Sequence, residues 1–197
     1  MEEIVLAVVL TSGNIRRPVV GSNNGEIRLI PGRACQKRLE KAAKFLRSDR
    51  SARLAIVGGY RDDIARREAV VAERWFIQFC PDLADRIIIV DARANCTAED
   101  MKLLPERMAT VSDKYLFLGV VIVSHPDHGG LAGIPLRLKL WQSFRYPIPI
   151  RCEASGEPPP YGRVGLALRR FVYKHDPLWE RFLSYPLRQH ANRRSCV

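Results

Sequence analysis

Apolar, β-branched runs recur along the chain, and each stops abruptly at small, polar or glycine residues before a helical pattern begins. Residues 4–10 run into Thr11-Ser12-Gly13-Asn14, and residues 53–57 into Gly58-Gly59-Tyr60. Residues 87–90 run into the segment from Asp91 to Thr97, and residues 115–123 into Ser124-His125-Pro126-Asp127-His128. A strand buried on both faces reads as such an unbroken run, as the central strands of a parallel sheet do. Four central strands are therefore expected, with their carboxyl ends gathered where sheets of this kind bind ligands. A short fifth strand is expected at residues 148–152, between prolines, which suits a sheet edge.

Helical spacing separates the strands. Residues 32–48 carry Leu39, Ala42, Ala43 and Leu46 on one stripe. Asp62-Asp63 favour a helix start, after which Ile64, Ala69, Ala72, Trp75, Phe76 and Phe79 are predicted to face a core. Thr97, with Asp100 three residues on, has a variant of the capping-box spacing, and Pro105 is expected to kink or shorten the helix that follows. Residues 130–144 place Leu131, Ile134, Leu138 and Trp141 on one face. Residues 11–31, rich in Gly, Asn and Pro and without a period, read as a long loop above the sheet edge. Loops of that length in compact domains are usually functional.

This alternation predicts an α/β fold in three layers, a mainly parallel five-stranded sheet with helices on both faces and right-handed crossovers. The 197 residues suit one domain, with a core over about 4–152 and a basic, aromatic helical tail over about 161–190 beyond the stiff Glu157-Pro158-Pro159-Pro160.

Composition narrows the class. Hydrophobic residues at 47% and charged residues at 27% are those of an ordinary globular protein. No stretch reaches the roughly 18 apolar residues of a membrane span, and no basic segment precedes the first apolar run, so a cytoplasmic location is expected. The five cysteines are odd in number and lack Cys-x-x-Cys spacing, which argues for reduced thiols over a zinc site. The formal charge of +11 attracts nucleic acid and other anionic partners, although the basic residues are dispersed outside the tail.

The strand ends hold the chemistry. Gly58-Gly59 allows close backbone approach by a ligand, and the helix start after it favours an anion, but no Gly-Lys-Ser/Thr follows as a phosphate loop requires. Glu68 is either a surface ion-pairing residue beside Arg66 and Arg67 or a carboxylate turned toward a ligand. Asn95, Thr97 and Glu99 crowd hydrogen-bonding groups at a helix N-terminus, where capping and the helix dipole also account for them. Ser124 and His128 follow the most apolar strand. Three readings of the His125–His128 pair are open: metal ligands, acid–base groups, or polar binding groups. No other histidine-rich segment supplies a third metal ligand, so no metal is predicted, and Ser124 lies outside a Gly-x-Ser-x-Gly elbow.

Taken in order, these pieces resemble the YdcF/SanA/ElyC family of bacterial proteins. The resemblance is carried by Thr11-Ser12-Gly13 after the first strand, Arg38-Leu39 before Ala42-Ala43, residues 54–59 ending in Gly58-Gly59, Glu68-Ala69, Thr97-Ala98-Glu99-Asp100, and Ser124 with His128 four residues on. Two positions depart from the family pattern. Asp100 stands where an Asn is usual, and Leu131 where an Arg is common. The resemblance implies a Rossmann-like fold and a pocket at the strand ends. It also implies a small-molecule ligand of the nucleotide or S-adenosylmethionine kind, and a link to cell-envelope biogenesis with no defined reaction. In that pocket Thr11, Gly13, Arg38, Gly58, Gly59, Asn95, Thr97, Glu99 and Ser124 are expected to bind ligand, and His128 and Glu68 to serve as acid–base groups. The competing expectation is a basic protein that binds nucleic acid or another anionic surface.

Overall fold

A computed structural model describes residues 1–11, 13–18, 27–59, 66–94, 97–144 and 146–155. The predicted helical tail, Asp62-Asp63, Ile64, Asn95 and Cys96 lie outside the described residues. The strands are β1 (Glu2–Leu10), β2 (Asn14–Pro18), β3 (Ile27–Pro31), β4 (Ala52–Val57), β5 (Ile87–Asp91), β6 (Tyr115–Ser124) and β7 (Ile150–Ala154). The helices are α1 (Arg33–Ser48), α2 (Glu68–Phe79), α3 (Thr97–Thr110) and α4 (Pro126–Phe144), with a 3-10 turn at Pro81–Arg86.

Five strands form one sheet in the order β5-β4-β1-β6-β7, and every pairing is parallel. The apolar runs explain why β1 takes the centre. Its alternate side chains enter two separate cores, because successive strand residues point to opposite faces. Ile4, Leu6, Val8 and Leu10 pack with Met101, Leu104 and Met108 of α3 and with Ala132, Leu136 and Leu140 of α4. Ala7 and Val9 pack with Leu39, Ala42, Ala43 and Leu46 of α1 and with Ala69, Ala72 and Phe76 of α2. At about 1.5–3 kcal/mol for each large side chain fully buried, these two layers are the main stabilising term. The protein is thus a three-layer, Rossmann-like α/β fold with β7 at one edge, as its flanking prolines predict.

Chain direction reverses across β1. From β1 the chain moves outward to β4 and β5 with α1 and α2 on one face. It then returns to β6 and β7 with α3 and α4 on the other. The switch point lies between the carboxyl ends of β1 and β6, where open α/β sheets carry their ligand crevice.

Four local expectations are corrected. The long loop after β1 contains an antiparallel hairpin, with Asn14 opposite Pro31 and Ile15 opposite Ile30. Its base is closed by the Gly32 N–H donating to the Gly13 carbonyl at 2.8 Å, and Arg28 reaches Gln78 of α2. Main-chain pairing needs no hydrophobic period, and Pro31 sits at a strand end where its missing N–H costs nothing. Helix α2 begins at Glu68, later than Asp62-Asp63 suggested, and Phe79 is 53% exposed at its end, stacked on Trp75 at 4.7 Å. Helix α3 continues through Pro105 to Thr110, because buried Met101, Leu104 and Met108 hold both sides of the proline against the sheet. On α4 the sheet-facing stripe is Ala132, Leu136 and Leu140, while Leu138 and Trp141, expected inside, are 47% and 57% exposed.

Among the described residues, no helix is long and apolar enough to cross a membrane. Cys35, Cys80 and Cys152 are free thiols. Burial pushes the Cys152 thiol above its ordinary range.

Candidate functional site

The carboxyl end of β1 is joined to the start of α2 through Glu68. The Gly13 N–H donates to Glu68 Oε1 at 2.8 Å, and the Thr11 hydroxyl lies 3.1 Å from Glu68 Oε2 and 3.1 Å from the Val57 carbonyl. A hydroxyl has one proton to donate, so the two oxygens compete for it. Asn14 adds a bond from Nδ2 to the Arg66 carbonyl at 3.0 Å. Glu68 occupies the first turn of α2, where the helix dipole favours a carboxylate. The side chain therefore faces the strand ends, and its neighbours are those of a clamp on the β1 loop rather than of an isolated surface pair.

Gly58 and Gly59 make this approach possible. Gly58 has φ +145°, and a Cβ there would stand 1.8 Å from Thr11 Oγ1. A Cβ on Gly59 would meet the backbone carbonyls of Ala94 at 2.0 Å and Ala92 at 2.6 Å. Their polar groups are engaged within the fold: the Gly58 N–H donates to the Asp91 carbonyl at 2.9 Å, and the Gly58 and Gly59 carbonyls accept from the N–H groups of Ala69 and Glu68. The expectation that the Gly58 N–H would be offered to a ligand is thus revised. The glycine pair brings β4, β5, the β1 loop and α2 into contact.

Arg38 projects from α1 beneath the β1 loop, buried to 5% exposure, and donates to the Leu10 carbonyl at 2.6 Å. Its Nε is buried without a hydrogen-bond partner. Burial pulls the guanidinium below its ordinary value, with Cys35 and Glu68 acting in the opposite direction.

On the other face of the sheet the first turn of α3 brings Asp100 into the same region. Its carboxyl is 7% exposed, and Oδ1 has no hydrogen-bond partner. Burial, then the nearby negative charges of Glu68, Asp91 and Glu99, hold it well above the ordinary carboxylate range. Asp91, at the end of β5, behaves oppositely. Burial pushes it up, but the Arg93 side chain and backbone N–H, with Arg107, outweigh that and leave it below the ordinary value. Two carboxyls of one region are thereby set in different states, Asp100 toward neutral and Asp91 toward charged.

Among the expected site residues, Thr11, Gly13, Gly58, Gly59 and Glu68 form one connected group, and Arg38 couples electrostatically to Glu68. Thr97 lies in the first turn of α3, and half-buried Glu99 follows it. Ser124, at the end of β6, is fully buried, and its carbonyl accepts from the Ser155 N–H at 2.9 Å. His128 falls in the first turn of α4. Asn95 lies outside the described residues. Leu131, where the resemblance would put an arginine, is 2% exposed. Among the described residues no group of three His, Cys, Asp or Glu side chains is arranged to hold a metal ion.

Sequence reasoning passed over Asp91 and read Asp100 as a capping residue. The available signal for Asp91 was its place as the first polar residue after an apolar strand, the same signal that selected Ser124.

The fold and this strand-end cluster define a Rossmann-like α/β protein with a polar candidate site at its switch region. Compared with protein-family models, curated proteins and solved structures, the chain matches none.

Proposed function

We propose that this protein binds a small polar molecule at the carboxyl ends of β1, β4, β5 and β6, in the manner of the YdcF/SanA/ElyC proteins it resembles. The ligand class is a nucleotide or an S-adenosylmethionine-like molecule, and the resemblance adds a link to cell-envelope biogenesis. The observation that carries this reading is the Glu68 clamp on Thr11 and Gly13, flanked by two buried polar atoms without partners, Arg38 Nε and Asp100 Oδ1. Buried polar groups are nearly always satisfied, so two orphans beside one clamp fit a site completed by a polar ligand. In this reading Arg38 supplies the cation for an anionic or polar ligand group, Glu68 and Glu99 accept hydrogen bonds, and His128 donates or accepts a proton.

The test is a thermal-shift screen of nucleotides, S-adenosylmethionine, sugar phosphates and divalent metals, since a ligand of the native state alone raises its stability by mass action. A hit should lose its shift in Glu68→Ala and His128→Ala while both variants remain folded. Equal shifts in wild type and both variants would overturn the proposal.

The charge of +11 favours a second reading, binding of nucleic acid or another anionic surface. Its signature is affinity that falls steeply as salt rises. Absence of any affinity at low salt would remove it.

A further inference from the structure

Helix α4 carries two apolar stripes, and the sheet uses only one. Ala132, Leu136 and Leu140 are in the core, whereas Ile134, Leu138 and Trp141 recur at helical spacing on another side. Leu138 is 47% and Trp141 57% exposed. With Tyr146 and the residues leading into β7, this second stripe lines a groove of about 860 Å³. The groove lies beside the start of the edge strand, away from the strand carboxyl ends and their candidate site.

A smaller hollow of about 240 Å³ shares Ile134, Arg137 and Ile150 with the groove and adds Arg151. An apolar trough therefore runs into two guanidinium groups. No carboxylate lines either hollow, so their lining charge is wholly positive. Arg137 has no hydrogen bond or ion pair among the described residues. Arg151 sits over the Phe45 ring at 5.4 Å, a contact that holds the cation in place without neutralising it.

We infer that this groove binds a single-chain carboxylate amphiphile, its hydrocarbon against Leu138, Trp141 and Ile148 and its carboxylate on Arg137 and Arg151. Ligand pockets span roughly 300–1,000 Å³ and are mostly apolar with a few placed polar groups, which is the character of this groove. The sign of the lining charge selects an anion. The planar guanidinium fork selects a carboxylate, which it can bond through two parallel N–H groups. The inference is independent of the strand-end site.

The experiment titrates the full chain with decanoate below its micelle concentration, following tryptophan fluorescence and heat. Decanol, decyltrimethylammonium and acetate serve as controls. Decanoate should bind one molecule per chain and acetate should not, while decyltrimethylammonium should bind at least about tenfold more weakly. Arg137→Gln should weaken decanoate by about tenfold and leave decanol unchanged. Trp141→Ala should weaken both, and Leu138→Gln provides a second apolar-side variant if Trp141→Ala lowers Tm. Equal binding of the anionic and cationic amphiphiles, or decanoate binding untouched by Arg137→Gln, would overturn the inference. So would saturable binding to anionic vesicles without decanoate binding, which marks a membrane-facing surface. Failure of decanoate to bind the full chain at all would overturn it too, by showing the groove filled, with residues 156–197 the nearest segment to fill it.

Discussion

The Gly13 N–H donates to Glu68 Oε1 at 2.8 Å across 55 positions of sequence, and this bond ties the turn after the central strand to the first turn of α2. Glu68 Oε2 lies beside the Thr11 hydroxyl, so one carboxylate holds both residues of the loop that the structure describes ahead of β2.

Replacing Glu68 should separate clamping from charge. Glu68→Ala leaves the Gly13 N–H without its acceptor, and an unmet hydrogen bond of this kind costs about 1–3 kcal/mol. Glu68→Gln keeps one acceptor oxygen and should cost less, while still removing the charge a ligand would meet. Urea unfolding of both variants measures the difference. Equal stability for wild type and Glu68→Ala would show that the bond is not made in solution.

The glycine pair should respond asymmetrically. Gly59→Ala drives a methyl into two backbone carbonyls that cannot step aside. Gly58→Ala collides with Thr11 Oγ1, a side-chain atom, and also strains a φ of +145°. Thr11→Ala should therefore relieve part of the Gly58→Ala penalty and none of the Gly59→Ala penalty, as a double-mutant cycle on Tm would read.

Arg38 distinguishes a structural from a ligand-binding role. A buried charge replaced by an apolar side chain of similar volume is often neutral or stabilising. Arg38→Met should thus leave Tm unchanged or raised, while abolishing the thermal shift from any anionic ligand the screen identifies. A variant that keeps the full ligand shift would remove Arg38 from the site.

Asp100 predicts a pH dependence with a defined sign. Its folded pKa lies above the unfolded value, so its contribution is fully present below the unfolded pKa and is lost as pH rises through the folded one. Asn has nearly the same shape and no charge to bury. Asp100→Asn should match wild type in acid and become progressively more stable than it as pH rises above the ordinary carboxylate range. Unfolding midpoints at several pH values measure the gap, and a gap that narrows with rising pH would contradict a neutral buried carboxyl.

Much of the fold was readable in the chain because its signals are local or periodic. Unbroken apolar runs marked β1, β4, β5 and β6, and the stripe of Leu39, Ala42, Ala43 and Leu46 marked α1. The order of polar residues after those runs also placed Thr11, Gly13, Gly58, Gly59 and Ser124 at one edge of one sheet. Those are properties of side-chain period and chain punctuation, and the sequence determines them by itself.

Tertiary structure decided the rest, where the deciding partner is distant in sequence. The β2–β3 hairpin rests on main-chain pairing that leaves no hydrophobic period to read. Two apolar stripes on α4 are equivalent in sequence, and only packing against β1 and β6 assigned Ala132, Leu136 and Leu140 to the core and left Leu138 and Trp141 outside. The opposite settings of Asp91 and Asp100 came from burial and from arginines or carboxylates on other elements, as did the choice of Glu68 as a clamp rather than a surface charge. Such environments exist only once the sheet has brought the strand ends together.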